Sequence, residues 1–197
     1  MNTIVIATKN IGKIKEFQTM LEPEGFQILS LLDFESITDV EETGTTFEEN
    51  AKLKAETICE LIQKPVIADD SGLEVDALNG EPGVYSARYA GAAKNDDMNI
   101  DKLLKELEGT ENRSARFVCA LAVAIPDKPS SVFRGTCEGE IALMRSGSNG
   151  FGYDPVFYLP DKKKTMAELE KEEKNKISHR AAALKHLQET LNLNDLK

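Results

Sequence analysis

Residues 3–8, TIVIAT, are a β-branched run that reads as a buried strand. Asn10 and Gly12 break the run, and KIKEFQTML then takes up helical spacing. FQILSLL, 26–32, reads as a second strand. The stretch TFEENAKLKAETICELIQ, 46–63, reads as a helix: Thr46 and Glu49 form a capping box, and Phe47, Ala51, Ala55, Ile58, Leu61 and Ile62 make its apolar stripe. This early alternation constrains the fold most, because strands and helices in turn must pack as layers of sheet and helix.

Further on, VIA (66–68) and LEVDAL (73–78) are strand-like, and 80–91 is a Gly/Pro-punctuated loop. Asn95–Leu107 reads as an amphipathic helix. Residues 115–125 and 131–143 read as long strands joined through Pro126 and Pro129 as a hairpin-like pair. The Gly-rich loop SGSNGFGYD leads to the strand VFYL, 156–159. Thr165 with Glu168 caps a short helix, and Ser178 caps a last one reaching about residue 192. Early alternation followed by long adjacent strands predicts an α/β protein with a mixed, twisted sheet. No repeat, low-complexity segment or linker interrupts the 197 residues, 41% of them hydrophobic, so residues 1–197 are expected to form one domain.

Lys and Arg number 24 against 34 Asp and Glu, a formal net charge of -10. That balance argues against direct binding to nucleic acid, which would favour the opposite sign or a basic tail. The N-terminus has no basic leader, and the longest apolar run, VCALAVAI, is far short of the ~20 residues that span a bilayer, so no membrane role is expected. Cys59, Cys119 and Cys137 form no CxxC and sit in apolar contexts, which reads as buried free thiols in the cytoplasm.

Several charges lie where helix electrostatics disfavours them. First helical turns favour acids. Yet Lys13 and Lys15 stand at the start of the first helix, and His179 and Arg180 follow Ser178 directly, with Lys174 and Lys176 just upstream. These are either solvated surface charges or partners of a bound anion, for which a strand, small polar turn and helix start make a ready site. Lys54 shares a helix face with Asn50 and falls inside the apolar stripe. Its ammonium must either snorkel to water or meet a phosphate or buried carboxylate.

Acids supply the counterpart. Glu41 and Glu42 lie in a loop before the 46–63 helix, and Asp69 and Asp70 are expected to end a strand. An Asp-Asp pair can serve as a turn or cap. Carboxylates on separate loops also suit Mg²⁺, which takes oxygen ligands and bridges to substrate phosphates through one or two side chains. Histidine and cysteine spacings give no zinc site, and His186 reads as a helix-surface residue. In NGFGYDP, Phe151, Tyr153 and Asp154 either pack on the sheet or wall a nucleobase pocket.

The blocks ATKNIGKIKEF, EETGTTFEENAKLKA, IADDSGLEVDALNGEPGVYSARYAG, GFGYDPVFYLP and EEKNKISHRAAAL occur in this order between residues 7 and 184. With them the chain closely resembles the inosine/xanthosine triphosphate pyrophosphatase family, over nearly its whole length. The resemblance implies an elongated, two-lobed α/β fold around a long twisted mixed sheet with flanking helices, its active site in the cleft between lobes. It implies a cytoplasmic homodimer that hydrolyses ITP, dITP and XTP to the monophosphate and pyrophosphate with Mg²⁺. By motif, Thr8, Lys9, Asn10, Ile11, Gly12, Lys13 and Lys54 take the phosphates. Glu42 and Asp70 hold the metal, Asp70 is the catalytic proton acceptor, and Ser71 touches substrate. Phe151, Gly152, Tyr153, Asp154, Lys174, His179 and Arg180 line the nucleoside pocket, where donors from Arg180, His179 or the backbone would bond a purine C6 oxygen. Two rival readings are a pyrophosphatase for modified pyrimidine triphosphates and a nucleotide-binding module without turnover.

Overall fold

The computed structural model describes residues 2–35, 37–38 and 40–191. Strand β1 (Asn2–Ile6) pairs in parallel with β2 (Phe26–Ser30), and helix α1 (Ile11–Leu21) makes the connection. Parallel neighbours need such a crossover. Helix α2 (Phe47–Ile62) follows, and then β3 (Val66–Val75), which pairs in parallel with the other side of β1. Helix α3 (Asp96–Glu106) leads to the long neighbouring strands β4 (Ser114–Ala124) and β5 (Ser131–Ile141). The short strands β6 (Phe157–Leu159) and β7 (Lys164–Thr165) add antiparallel pairings. Among the described residues the sheet runs β2-β1-β3-β4-β5-β6-β7, and its pairings are mixed, as expected. Helices α4 (Lys171–Ile177) and α5 (His179–Thr190) close the described chain.

Local chemistry accounts for these elements. Both halves of the Thr46–Glu49 capping box are made at the start of α2. The Thr165–Glu168 box is also made, but it caps a single 3-10 turn, Met166–Glu168. The KEEKNK stretch lies in α4. Leu61, expected in the buried stripe of α2, is 64% exposed, and the buried positions include Asn50 and Cys59 instead. Residue 192, the expected end of the last helix, lies outside the described residues.

The largest departure concerns the acid pair. Residues 66–68 and 73–78 were expected as two short strands, with Asp69 and Asp70 at a strand end. The structure has one continuous strand through IADDSGLEV, and 76–78 is a 3-10 turn. Buried neighbours on both sides keep the backbone extended where the polar letters suggest a turn: residues 66–70 and 72–73 are all buried.

The chain divides into two compact units. The first comprises Met1–Asp70, Cys119–Gly135 and Arg180–Lys197, the second Ser71–Val118 and Thr136–His179. Strands β3, β4 and β5 contribute residues to both. The first unit's core gathers Ile4, Ile6, Phe17, Leu21, Phe26, Ile67, Leu121 and Leu187. The second's gathers Leu73, Ile100, Leu103, Phe117, Val156, Phe157 and Met166. Burying one such side chain fully is worth about 1.5–3 kcal/mol, so each unit has its own hydrophobic driving force. No described helix is long and apolar enough to cross a membrane.

Candidate active site

Side chains alternate between the two faces of a strand. Asp69 and Asp70, adjacent within β3, therefore point to opposite faces. That separates their charges and gives each a different set of partners.

Asp69 meets the cations of α1 and α5. Its Oδ2 lies 2.9 Å from Lys13 Nζ and 3.0 Å from Arg180 Nη2, and it also accepts from Arg180 Nε at 3.3 Å. Arg180 Nη1 donates to Glu16 on α1. Asp69 and Arg180 are each 1% exposed. Burial alone would raise the Asp69 pKa, but Lys13, Arg180 and Lys54 outweigh it and hold the carboxyl well below the usual carboxylate range. Burial likewise opposes the Arg180 charge, yet Asp69 and Glu16 keep its pKa above the ordinary value. Asp69 is thus a fixed anion.

Asp70 faces α2. Asn50 Nδ2 donates to its Oδ2 at 3.0 Å, and Lys54 Nζ stands 3.7 Å from its Oδ1. The same ammonium reaches Glu42 Oε1 at 2.7 Å and donates to the Asp69 carbonyl oxygen at 2.8 Å. Lys54 therefore does not snorkel: its side chain is 12% exposed and ends among carboxylates. Burial lowers the Lys54 pKa, but Asp70, Asp69 and Glu42 more than restore it. Asp70 is pushed above the usual range by burial, with Glu42 adding to the effect and Lys54 opposing it.

The turn between β1 and α1 is ordered by its own polar groups. Thr8 Oγ1 accepts from the Asn10 N–H at 3.1 Å, and Asn10 caps α1 by accepting from the Lys13 N–H at 3.1 Å. The first turn of α1 holds no acid. Lys9, Asn10 and Ile11 are exposed, while Thr8, Gly12 and Lys13 are half-buried.

In the second unit, Asp154 anchors the Gly-rich loop. It accepts from the Phe151 N–H at 3.0 Å and pairs with Lys174 Nζ at 2.6 Å. That ammonium also lies 4.7 Å from the centroid of the Phe151 ring. Gly150 has φ +81°, and a Cβ there would fall 1.9 Å from Asp154 Oδ2, so only glycine admits the carboxylate. The Gly152 N–H donates to Asp96 at 2.8 Å, and the Tyr153 hydroxyl donates to the Ser86 carbonyl oxygen at 2.8 Å. His179 is 7% exposed and stacks on Phe117 with ring centroids 4.9 Å apart. Ser71 follows Asp70 in β3 and is half-buried.

The sequence matches the model of the Ham1 family over residues 4–190. The chain belongs to the Ham1 family. It is 61% identical over 191 residues to the dITP/XTP pyrophosphatase of Geobacillus kaustophilus, a match that covers 96% of this chain and 94% of that protein. To the dITP/XTP pyrophosphatase of Halalkalibacterium halodurans it is 55% identical over 97% of this chain and all of that one. The solved Ham1 protein of Staphylococcus aureus superposes with a TM-score of 0.88 at 52% identity, covering 98% of this chain and 99% of that one.

Within this Ham1 chain, Lys13, Lys54, Asp70 and Arg180 all belong to the first unit, Lys13 and Arg180 meeting Asp69 and Lys54 meeting Asp70. Phe151, Asp154 and Lys174 form a second cluster, within the second unit. Arg180 stands beside Asp69 and Glu16. Two members of the first cluster escaped the sequence reading, Glu16 and the hydrogen-bonding role of Asn50. Glu16 lies three residues after Lys13, on the same helix face, but that spacing does not reveal its pairing with Arg180.

A cation would suit the oxygens present. Glu42 and Asp70 reach toward one point, where the Lys54 ammonium now lies, and both offer hard carboxylate oxygen. Among the described residues no group of three or more His, Cys, Asp or Glu side chains could hold a metal. Mg²⁺ does not need one, since waters and substrate phosphates complete its shell.

Proposed function

We propose that this chain hydrolyses non-standard purine nucleoside triphosphates, namely ITP, dITP and XTP, to the monophosphate and pyrophosphate. The reading has it working with Mg²⁺, as a cytoplasmic homodimer, with free nucleotides as substrates rather than nucleic acid. The single observation behind it is the split handling of Asp69 and Asp70. Two lysines and an arginine from three helices gather on an acid pair in a protein of net charge -10. The relatives' name, dITP/XTP pyrophosphatase, at 55% to 61% identity over nearly the whole chain supports the substrate class.

Asp70 orients and deprotonates the water that attacks the α-phosphorus. A carboxylate whose pKa is raised by burial is a better base than an exposed one. Asp69, kept ionised, holds Lys13 and Arg180 in place. Lys13 and Lys54 offset the charge that develops on the phosphate oxygens. Mg²⁺, held by Glu42 and Asp70, would supply further charge neutralisation on the phosphates. The Phe151 ring offers a flat face to the base. A purine with oxygen at C6 then pairs with N–H donors, whereas the adenine amino group would leave them unsatisfied.

The test is pyrophosphate release from ITP, XTP, dUTP, GTP and ATP, with and without Mg²⁺, against an Asp70→Asn control. Release is expected from ITP and XTP, at rates far above those for ATP, and only with the metal. Equal turnover of all five nucleotides, or undiminished turnover in Asp70→Asn, overturns the reading.

A further inference from the structure

Asn50 is 1% exposed in the second turn of α2, a position where an apolar residue would pack at lower cost. Both ends of its amide are used. Oδ1 accepts the Gly44 N–H at 2.8 Å, and Nδ2 donates to Asp70 Oδ2 at 3.0 Å. The orientation is not arbitrary. A backbone N–H can only donate, so it demands the amide oxygen and leaves the NH₂ for the carboxylate.

Gly44 sits two residues after Glu42 in the same loop. The contact is tight: a Cβ on Gly44 would lie 2.7 Å from Asn50 Oδ1 and 2.7 Å from Glu49 Cβ. One amide thus clips the Glu42 loop to Asp70. It also distinguishes the two oxygens of that carboxylate. Oδ2 is taken up by Asn50, while Oδ1 is turned toward Lys54 at 3.7 Å.

We infer that Asn50 is a positioning residue for the hydrolysis: its amide fixes the plane of the Asp70 carboxylate and so aims Oδ1 at the attacking water. The inference rests on the pyrophosphatase reading. The contrary view is that Asn50 merely staples the loop at residues 41–46 to α2.

Two variants separate these roles through steady-state hydrolysis of ITP with saturating Mg²⁺ and thermal unfolding of each protein. Asn50→Ala removes both bonds. Asn50→Asp keeps an acceptor for the Gly44 N–H but has no NH₂ to offer Asp70. Positioning predicts that kcat falls by about 10- to 100-fold in both, the effect of one lost hydrogen bond to a charged group. KM for ITP should stay within about threefold of the parent. A parent-like kcat in Asn50→Asp overturns the inference, as does a loss carried by KM alone. If Asn50→Ala does not fold, the isosteric Asn50→Asp decides. A parent chain that releases no pyrophosphate overturns the function itself, and the inference with it.

Discussion

The two units treat buried charge in different ways. In the first, charges from four distant chain segments close on one another: Lys13 and Glu16 on α1, Lys54 on α2, Asp69 and Asp70 on β3, and Arg180 on α5. In the second, the buried ion pair Lys174–Asp154 holds a glycine loop and places a cation near the Phe151 ring. The first arrangement suits multiply charged phosphate. The second suits a flat ring with polar edges. Buried pairs are costly to assemble and worse to break, because removal of one partner strands the other. On the proposed function the first unit therefore carries chemistry and stability in the same residues, whereas the second can lose its ring and keep its fold.

The sharpest way to break this contrast is Asp70→Asn. It should lower kcat for ITP by about 10²–10⁴-fold, the range for loss of a general base, with circular dichroism unchanged. Arg180→Ala should come next. It leaves Asp69 and Glu16 without their guanidinium and should cost about 3–5 kcal/mol in a urea titration. A loss under about 1 kcal/mol, the range of an exposed pair, would show that the cluster is not structurally coupled.

Phe151→Ala probes the other unit. Loss of base stacking is worth about 1–3 kcal/mol, so KM for ITP should rise by about 5- to 100-fold while kcat and the unfolding midpoint hold. A fall in kcat with constant KM would mean that the ring serves the reaction rather than the base.

The smallest effect is alkaline. Burial pushes the Cys119 thiol in the first unit up to about 12 and the Cys137 thiol in the second up to about 11. These groups are acids with raised folded pKa values. Their contribution to stability is complete below the unfolded thiol pKa, ~8.5, and is lost as pH rises through about 11 for Cys137 and about 12 for Cys119. Thermal midpoints of the parent should fall over that window, and less so in Cys119→Ala than in the parent. Labelling of the native protein at pH 8 should be slow at both thiols.

Much of the fold was legible because local signals agreed. The β-branched run of β1, the Asn10 cap and the Thr46–Glu49 box each placed an element within a few residues. The electrostatic oddity of Lys54 also pointed correctly to buried carboxylates, since 100° per residue fixes its face. The path of β3 was not legible. Asp-Asp-Ser-Gly has turn composition, and the place of β3 between β1 and β4 in the sheet, with the burial of its neighbours, holds it extended. Glu16 and Asn50 were hidden for a related reason. Their partners, Arg180 and Asp70, lie 164 and 20 residues away, and no local pattern encodes such distances.

One consequence of the continuous strand concerns which length changes the family can accept. Two consecutive aspartates have different partners here only because odd and even positions look opposite ways. A single codon gained or lost just before them would turn each carboxylate to the opposite face of the strand, away from its present partners, with every chemical group still present. The surface loops can drift in length, but this short stretch has a reading frame of its own.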